Sequence, residues 1–277
     1  MIFDGKTFAK QLEKDLKQQL QQTQLKPKIL SLLIGQDPAS LLYTRLKQKA
    51  AQRVGLNFQV LHLQNSKKLT SQDIINQINS LESQFSGIMV QLPLPNHLKL
   101  STHQILQAIP LAKDVDGLRW QESGMMPATV RAIISTLENI QTNYQSNLWH
   151  QQFAVIGSQG AVGKPLVHFL KQKTTNIFEI DLETKKPKKF TNQADVVISC
   201  TGQPHLIKPN WVKPGLISID VGISKVNGKI AGDFDPKVYQ LSSLAVPVPG
   251  GIGPVTIISL LKNSLELLVN KKPQTKY

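Results

Sequence analysis

Hydrophobic positions fall along this chain in two alternating rhythms, a four-residue recurrence and short uninterrupted runs. Phe8, Leu12, Leu16 and Leu20 stand four apart and predict an amphipathic helix. The run ILSLLI at 29–34 follows Pro27 and reads as a buried strand. Asp37-Pro38 then offers an N-cap and a proline at the first helical position, for a helix that reaches Val54 and stops at Gly55. A strand at 58–63, a helix at 71–84 with Ile74, Ile75, Ile78 and Leu81 on one face, and a strand at 87–92 ended by Pro93 and Pro95 complete the first half. From 113 to 127 the rhythm breaks at a charged loop, KDVDG. A helix at 127–139 and the polar stretch QTNYQSNLWHQ follow and read as the passage between two domains. Beyond them come strands at 153–156, 176–180, 195–200 and 216–221. The last element is an apolar helix at 257–269, expected to return to the first domain. Strands alternating with helices predict an α/β fold with parallel sheets and right-handed crossovers.

Residues 153–165, FAVIGSQGAVGKP, carry an apolar run through Gly157, Gly160 and Gly163 into a helical pattern with Leu166, Val167 and Leu170 on one face. Such a turn aims backbone N–H groups from the positive end of a helix dipole, which suits the pyrophosphate of a dinucleotide. The spacing is G-x-x-G-x-x-G rather than G-x-G-x-x-G, and an ordinary β-α turn shows the same pattern.

Composition narrows the classes. With 277 residues, 40% of them hydrophobic, the chain has enough for one large or two ordinary globular domains. The opening MIFDGKTFAKQLEKDL mixes charges with apolar residues, so a secretory signal is not expected. No uninterrupted apolar run approaches bilayer length, so no membrane partner is expected either. Cys200 is the single cysteine, which excludes internal disulfides and fits a cytoplasmic protein. The six histidines lack metal-ligand spacing, and no metal is expected. A net charge of +14 raises nucleic-acid binding. However, most lysines are spread through helical segments. The dense run Lys185, Lys186, Lys188 and Lys189 sits in a proline-broken loop, and the tail KKPQTKY reads as frayed. Aromatic residues do not interleave with the basic ones, so no nucleic-acid partner is expected. A basic surface serves equally to gather a polyanionic small substrate.

Tyr43 and Lys47 share a helix face that continues through Ala50, Ala51 and Val54, an otherwise uncharged stripe. A partly desolvated lysine loses preference for its proton and can serve in proton transfer. The plain alternative is a snorkelling lysine beside a core tyrosine. Gln91 closes the strand GIMVQL before LPLP, where ligands of open α/β sheets bind; a loop-satisfying amide is the alternative. Asp114 and Asp116 in KDVDG are a poor magnesium or calcium signature without a third ligand. They suit either hydrogen bonding to an amino-substituted heterocycle or a turn-capping role. PVPGGIGPVT at 247–256 is stiff yet permits close backbone approach to a planar ligand.

Taken in order, GQDPASLLYTRLKQKA, GIMVQLPLP, KDVDG, AVIGSQGAVGKPL, ADVVISCTGQP, KPGLISIDVGI and PVPGGIGPVT cover nearly the whole chain. In these motifs it resembles the bifunctional methylenetetrahydrofolate dehydrogenase/cyclohydrolase family. The resemblance implies a folate-catalytic α/β domain of residues 1–122 plus 255–277 and a Rossmann-like domain of residues 123–254, with the substrate in the cleft between them and a homodimer formed through the cofactor domain. It implies oxidation of 5,10-methylenetetrahydrofolate to the methenyl form with NADP, followed by hydrolysis to 10-formyltetrahydrofolate. The family's catalytic lysine falls on Lys47, its tyrosine on Tyr43, its glutamine on Gln91 and its pterin-contacting aspartate on Asp116. Leu92, Gly250, Gly251 and Pro254 are implied in folate binding. Gly157, Ser158, Gln159, Gly160, Val162, Gly163, Asp181, Thr201, Gly202 and Ile223 are implied in cofactor binding.

Two departures stand out. Where the family shows PCTP, this chain has Pro127-Ala128-Thr129-Val130, and activity is expected to survive with an altered loop stiffness. Many members carry residues accepting a 2′-phosphate where this chain has Ser158, Gln159, Asp181 and Leu182. Asp181, 18 residues after Gly163, stands where an acidic residue bonds the ribose hydroxyls of NAD. NADP is thus the family default and NAD the competitor.

Overall fold

The computed structural model describes residues 1–64 and 68–269; the tail read as frayed lies outside the described residues. Its elements follow the expected alternation. Helix α1 (Gly5–Thr23) leads to β1 (Lys28–Ile34), α2 (Pro38–Val54), β2 (Asn57–Leu63), α3 (Ser71–Leu81) and β3 (Gly87–Val90). Two short helices, α4 (Thr102–Gln107) and α5 (Trp120–Ser123), precede α6 (Ala128–Asn143). Then come β4 (Phe153–Ile156), α7 (Gly163–Leu170), β5 (Ile177–Ile180), α8 (Pro187–Thr191), β6 (Val196–Ser199) and β7 (Ile217–Asp220). A hairpin of β8 (Ser224–Val226) and β9 (Lys229–Ala231), α9 (Pro236–Leu241), β10 (Leu244–Val246) and α10 (Ile252–Val269) end the described chain.

Two compact units result, one of residues 11–128 with 257 onward, the other of residues 1–10 with 129–256. The first holds a parallel sheet of order β2-β1-β3, with its core built from Leu32, Ile34, Ile74, Ile78, Ile88 and Val90 among others. The helix after 256 belongs to this unit, where the Asn263 amide donates to the carbonyls of Val115 and Met126. The second unit holds a five-stranded parallel sheet of order β10-β7-β6-β4-β5. Chain order reverses between β4 and β6, which makes the carboxyl ends of those strands a topological switch point.

Several boundaries differ from the sequence expectation. The units divide at 128/129 and 256/257 rather than 122/123 and 254/255, and the first ten residues join the second unit. The reason is a strand-like pairing at the sheet edge: Phe3 N–H donates to the Ala245 carbonyl and Ala245 N–H to that of Met1. The polar QTN segment is the last turn of α6 rather than a linker, and β3 stops at Val90. Residues 82–84 form a 3-10 turn after α3, and α10 starts at Ile252, so Pro254 lies in its first turn. Among the described residues α10 is the one helix long and apolar enough to span a membrane by length and composition, yet it is mostly buried within the fold. Ala128 and Val130, standing where the family shows cysteine and proline, are fully buried at the start of α6.

Candidate active site

Helix α2 places the lysine. The Asp37 carboxylate accepts from Ser40 N–H at the N-cap, Pro38 opens the first turn, and Gly55 at φ 82° closes the helix. Between those stops Ser40, Thr44, Lys47, Ala50, Ala51 and Val54 form the buried face, while Tyr43 is half-buried one turn before Lys47. Lys47 is 7% exposed, so it is no snorkelling surface residue. Its Nζ donates to Gln91 Oε1 at 2.9 Å and lies 3.9 Å from Met89 Sδ. Gln91 continues the β3 ladder through a bond from its N–H to the Leu32 carbonyl, and its Nε2 donates to the Leu92 carbonyl at 2.7 Å. Both ends of the amide are thereby engaged, and its oxygen is fixed toward the lysine.

The KDVDG loop runs beside β3: Ile88 bridges Asp114, and Gly87 has no room for a side chain because a Cβ there would stand 2.3 Å from Val115 Cγ1. Its two carboxylates do different work. Asp114 is buried, and its oxygens accept from Gly117 N–H at 3.0 Å and Arg119 N–H at 2.7 Å, which is the turn-capping role. Arg119 secures the loop further, with Nη1 on the carbonyls of Gln107 and Ile109 and a bidentate pair to Glu122. Asp116 is instead coupled electrostatically to Lys47. Burial pushes the Lys47 ammonium down from the usual lysine range, and the Asp116 charge holds it partly up. Burial likewise pushes Asp116 up, offset by Lys47. Desolvation also raises the Tyr43 phenol. Lys47, Gln91, Asp116 and the half-buried Leu92 thus belong to one unit, and among the described residues there is no metal-binding cluster.

In the second unit the glycine loop follows β4 at the switch point. Gly157 takes φ +81°, and its N–H and that of Ser158 both donate to the Ile180 carbonyl. A Cβ on Gly163 would stand 2.0 Å from the Gly157 carbonyl oxygen, so only glycine allows the loop to fold this tightly onto α7. Beside it lies a groove of 790 Å³ whose walls include Gly157, Gln159, Gly160, Asp181, Leu182, Thr201, Leu206 and Trp211. Val162 caps α7 beside Gly163, and Ser158 is buried beneath the loop with no hydrogen-bond partner for its hydroxyl. Gly202, between Thr201 and Gln203 of the groove wall, and Ile223 are exposed; the Ser224 hydroxyl donates to the Gly202 carbonyl. Asp181, half-buried at the end of β5, accepts from Glu183 N–H and the Thr184 hydroxyl on one oxygen. The apolar wall of Leu182, Leu206 and Trp211 escaped sequence reading because its members come from two separate connections, one after β5 and one between β6 and β7. The lysine run flanks it, with Lys188 Nζ 5.5 Å from the Trp211 ring centre.

The third group occupies the loop before α10. Gly250 takes φ +104°, Gly251 is buried with its N–H on the Pro247 carbonyl, and Pro254 is half-buried. A Cβ on Gly5 would stand 2.0 Å from the Gly251 oxygen, so the start of α1 packs directly on this loop.

Comparison with known proteins gives a consistent result. Residues 3–116 match the model of the tetrahydrofolate dehydrogenase/cyclohydrolase catalytic domain, and residues 127–272 that of its NAD(P)-binding domain. The bifunctional protein FolD of Hydrogenobaculum sp. is 38% identical over 96% of this chain and 97% of its own. The bifunctional FolD methylenetetrahydrofolate dehydrogenase/cyclohydrolase of Campylobacter jejuni has a crystal structure matching at a TM-score of 0.86, with 32% identity over 98% of this chain and 99% of that one. The Trypanosoma brucei methylenetetrahydrofolate dehydrogenase-cyclohydrolase, solved with NADP and an inhibitor, also matches at 0.86, with 27% identity over 99% and 98%.

Proposed function

The chain belongs to the tetrahydrofolate dehydrogenase/cyclohydrolase family, and on that premise we propose which of its residues do the work and which nucleotide it prefers. The enzyme oxidises 5,10-methylenetetrahydrofolate to 5,10-methenyltetrahydrofolate with an NAD(P) cofactor and hydrolyses that product to 10-formyltetrahydrofolate. The observation that carries the residue assignment is the buried Lys47 Nζ held on Gln91 Oε1 and coupled to Asp116. With its pKa depressed, Lys47 reaches the neutral amine far more readily than a surface lysine, and that amine takes the proton from water attacking the methenyl carbon. Gln91 fixes the direction of the lysine, and Tyr43 completes the face presented to the substrate. Asp116 offers its carboxyl to the amino-substituted pterin ring and moderates the charge of Lys47. Leu92, the loop bearing Gly250 and Gly251, and Pro254 in the first turn of α10 contact the folate, the loop supplying close backbone approach.

The nicotinamide supplies the hydride acceptor, and the protein's part in that step is to hold the donor carbon at contact distance. The fit of the groove to a dinucleotide is supported by the tight turn that Gly157 and Gly163 allow at the start of α7, where a pyrophosphate meets the positive end of the helix dipole. Gln159, Gly160 and Thr201 flank it, and the other cofactor-site residues, Ser158, Val162, Gly202 and Ile223, shape the loops around it. We assign NAD as the preferred form. Asp181 is fixed on the rim of the groove through one oxygen, which leaves the other for ribose hydroxyls, and its charge repels a 2′-phosphate. The second reading is NADP, the family default; Lys188, held over the Trp211 ring beside the groove, favours it by offsetting Asp181. A homodimer and a cytoplasmic location remain part of the proposal, with Ile230 of β9 exposed as apolar contact. Steady-state dehydrogenase rates with each nucleotide test the assignment. We expect kcat/KM for NAD to exceed that for NADP at least tenfold, and Asp181→Ser to narrow the gap. A wild type that prefers NADP would remove Asp181 from the account.

A further inference from the structure

The second unit buries a pair of acids, joined by a half-buried phenol, that neither reaction step uses. Asp220, at the end of β7, is fully buried and accepts four bonds. They come from Asp233 N–H at 2.9 Å, Phe234 N–H at 3.0 Å, Gly222 N–H at 3.2 Å and the Tyr239 hydroxyl at 2.7 Å. Asp233, also fully buried, accepts on one oxygen from the Ser199 hydroxyl and from Thr201 N–H, both at 2.7 Å. Two glycines make room for these acids. A Cβ on Gly222 would stand 1.8 Å from Asp233 Oδ1, and one on Gly232 would stand 2.0 Å from Asp220 Oδ2. The carboxylates are therefore held by packing as well as by hydrogen bonds.

Segment 247–249, Pro-Val-Pro, has a single backbone donor, because proline carries no N–H. That donor, Val248 N–H, points to the Tyr239 oxygen at 3.4 Å. The phenol donates its own proton to Asp220, which turns a lone pair toward Val248. A continuous chain of bonds thus runs from Thr201 on the groove wall through Asp233, Asp220 and Tyr239 to the loop that carries Gly250 and Gly251.

We propose that Tyr239 is a positioning residue for folate: its hydroxyl tethers the 247–251 loop to the buried Asp220–Asp233 pair and holds it in the conformation that receives the substrate. This rests on the reading that the loop contacts the folate. The tether ties the register of that loop to the strand end that borders the nucleotide, so the two binding surfaces of this unit share one buried anchor.

Tyr239→Phe keeps the ring and removes the tether. Losing one such bond predicts a rise of about three- to tenfold in the KM for methylenetetrahydrofolate, with the KM for the nucleotide within a factor of about two. Pro254→Ala, in the first turn of α10 into which the loop feeds, is measured alongside to report on the folate-facing segment and is expected to raise the folate KM too. An unchanged folate KM in Tyr239→Phe while Pro254→Ala raises it overturns the tether alone. Unchanged values in both overturn the loop–folate reading beneath it. A parallel rise of both KM values in Tyr239→Phe would mean general loosening of the unit and would also overturn the proposal.

Discussion

Asp114, Asp116 and Asp220 are all acids raised by burial, yet their surroundings give them three different jobs. Asp114 spends its oxygens on the backbone of its own turn, Asp116 faces a lysine, and Asp220 gathers donors from a loop, a helix and a strand end. The sequence shows the first two as an equivalent pair in KDVDG, because their partners are set by loop geometry and by a helix far away in the chain. Lys47 was more legible: the uncharged stripe through Ala50, Ala51 and Val54 already marks its face as buried. Asp220 carries a prediction. Its pKa is pushed up to about 6 by burial, from 3.8 in an exposed chain. The folded state therefore holds the proton more tightly, and the group's contribution is fully favourable below pH 3.8 and is lost as pH rises through 6. The loss amounts to roughly 3 kcal/mol. Urea unfolding of wild type and Asp220→Asn at pH 4 and pH 7 should show the wild type losing about that much more stability on going to the higher pH. A stability difference between the two proteins that does not change with pH would contradict it.

Elements were readable in proportion to how locally they are determined. Helix α2 is bounded by its own residues, Asp37 and Pro38 at one end and Gly55 at the other, and it runs as the sequence predicts. The buried strands β1, β4, β6 and β7 announce themselves as apolar runs. Strand β10 has only three residues and exists through distant partners such as Ile217 and Met1, which no local pattern reveals. The equally short β8–β9 hairpin pairs only with itself across Asn227-Gly228, both at positive φ, a local turn signal that the reading of the sequence passed over. The β4–α7 turn shows the other extreme, a structure dictated by one atom. A methyl group on Gly163 has only backbone in front of it, so Gly163→Ala must open the turn. We expect it to cost about 1–3 kcal/mol of stability and to raise the nucleotide KM at least tenfold. Cyclohydrolase activity, which uses no nucleotide, should persist. Wild-type nucleotide KM in this variant would show that the turn is not the pyrophosphate site.

At the scale of the whole molecule, membership of the family extends over both compact units, through one domain model for each part of the chain. The exchange of residues 1–10 into the second unit was invisible in the sequence because an isolated edge pairing leaves no periodicity. The lysine group lies in the first unit and the glycine-loop groove in the second, so the residue proposed for hydrolysis and the groove proposed for the nucleotide can be altered one at a time. Lys47→Met is the direct test: it preserves the length of the side chain on a buried face while removing the amine. The account predicts loss of 10-formyltetrahydrofolate formation from methenyltetrahydrofolate by at least a hundredfold, with the fold and nucleotide binding intact. A Lys47→Met enzyme that hydrolyses the methenyl substrate at the wild-type rate would contradict it.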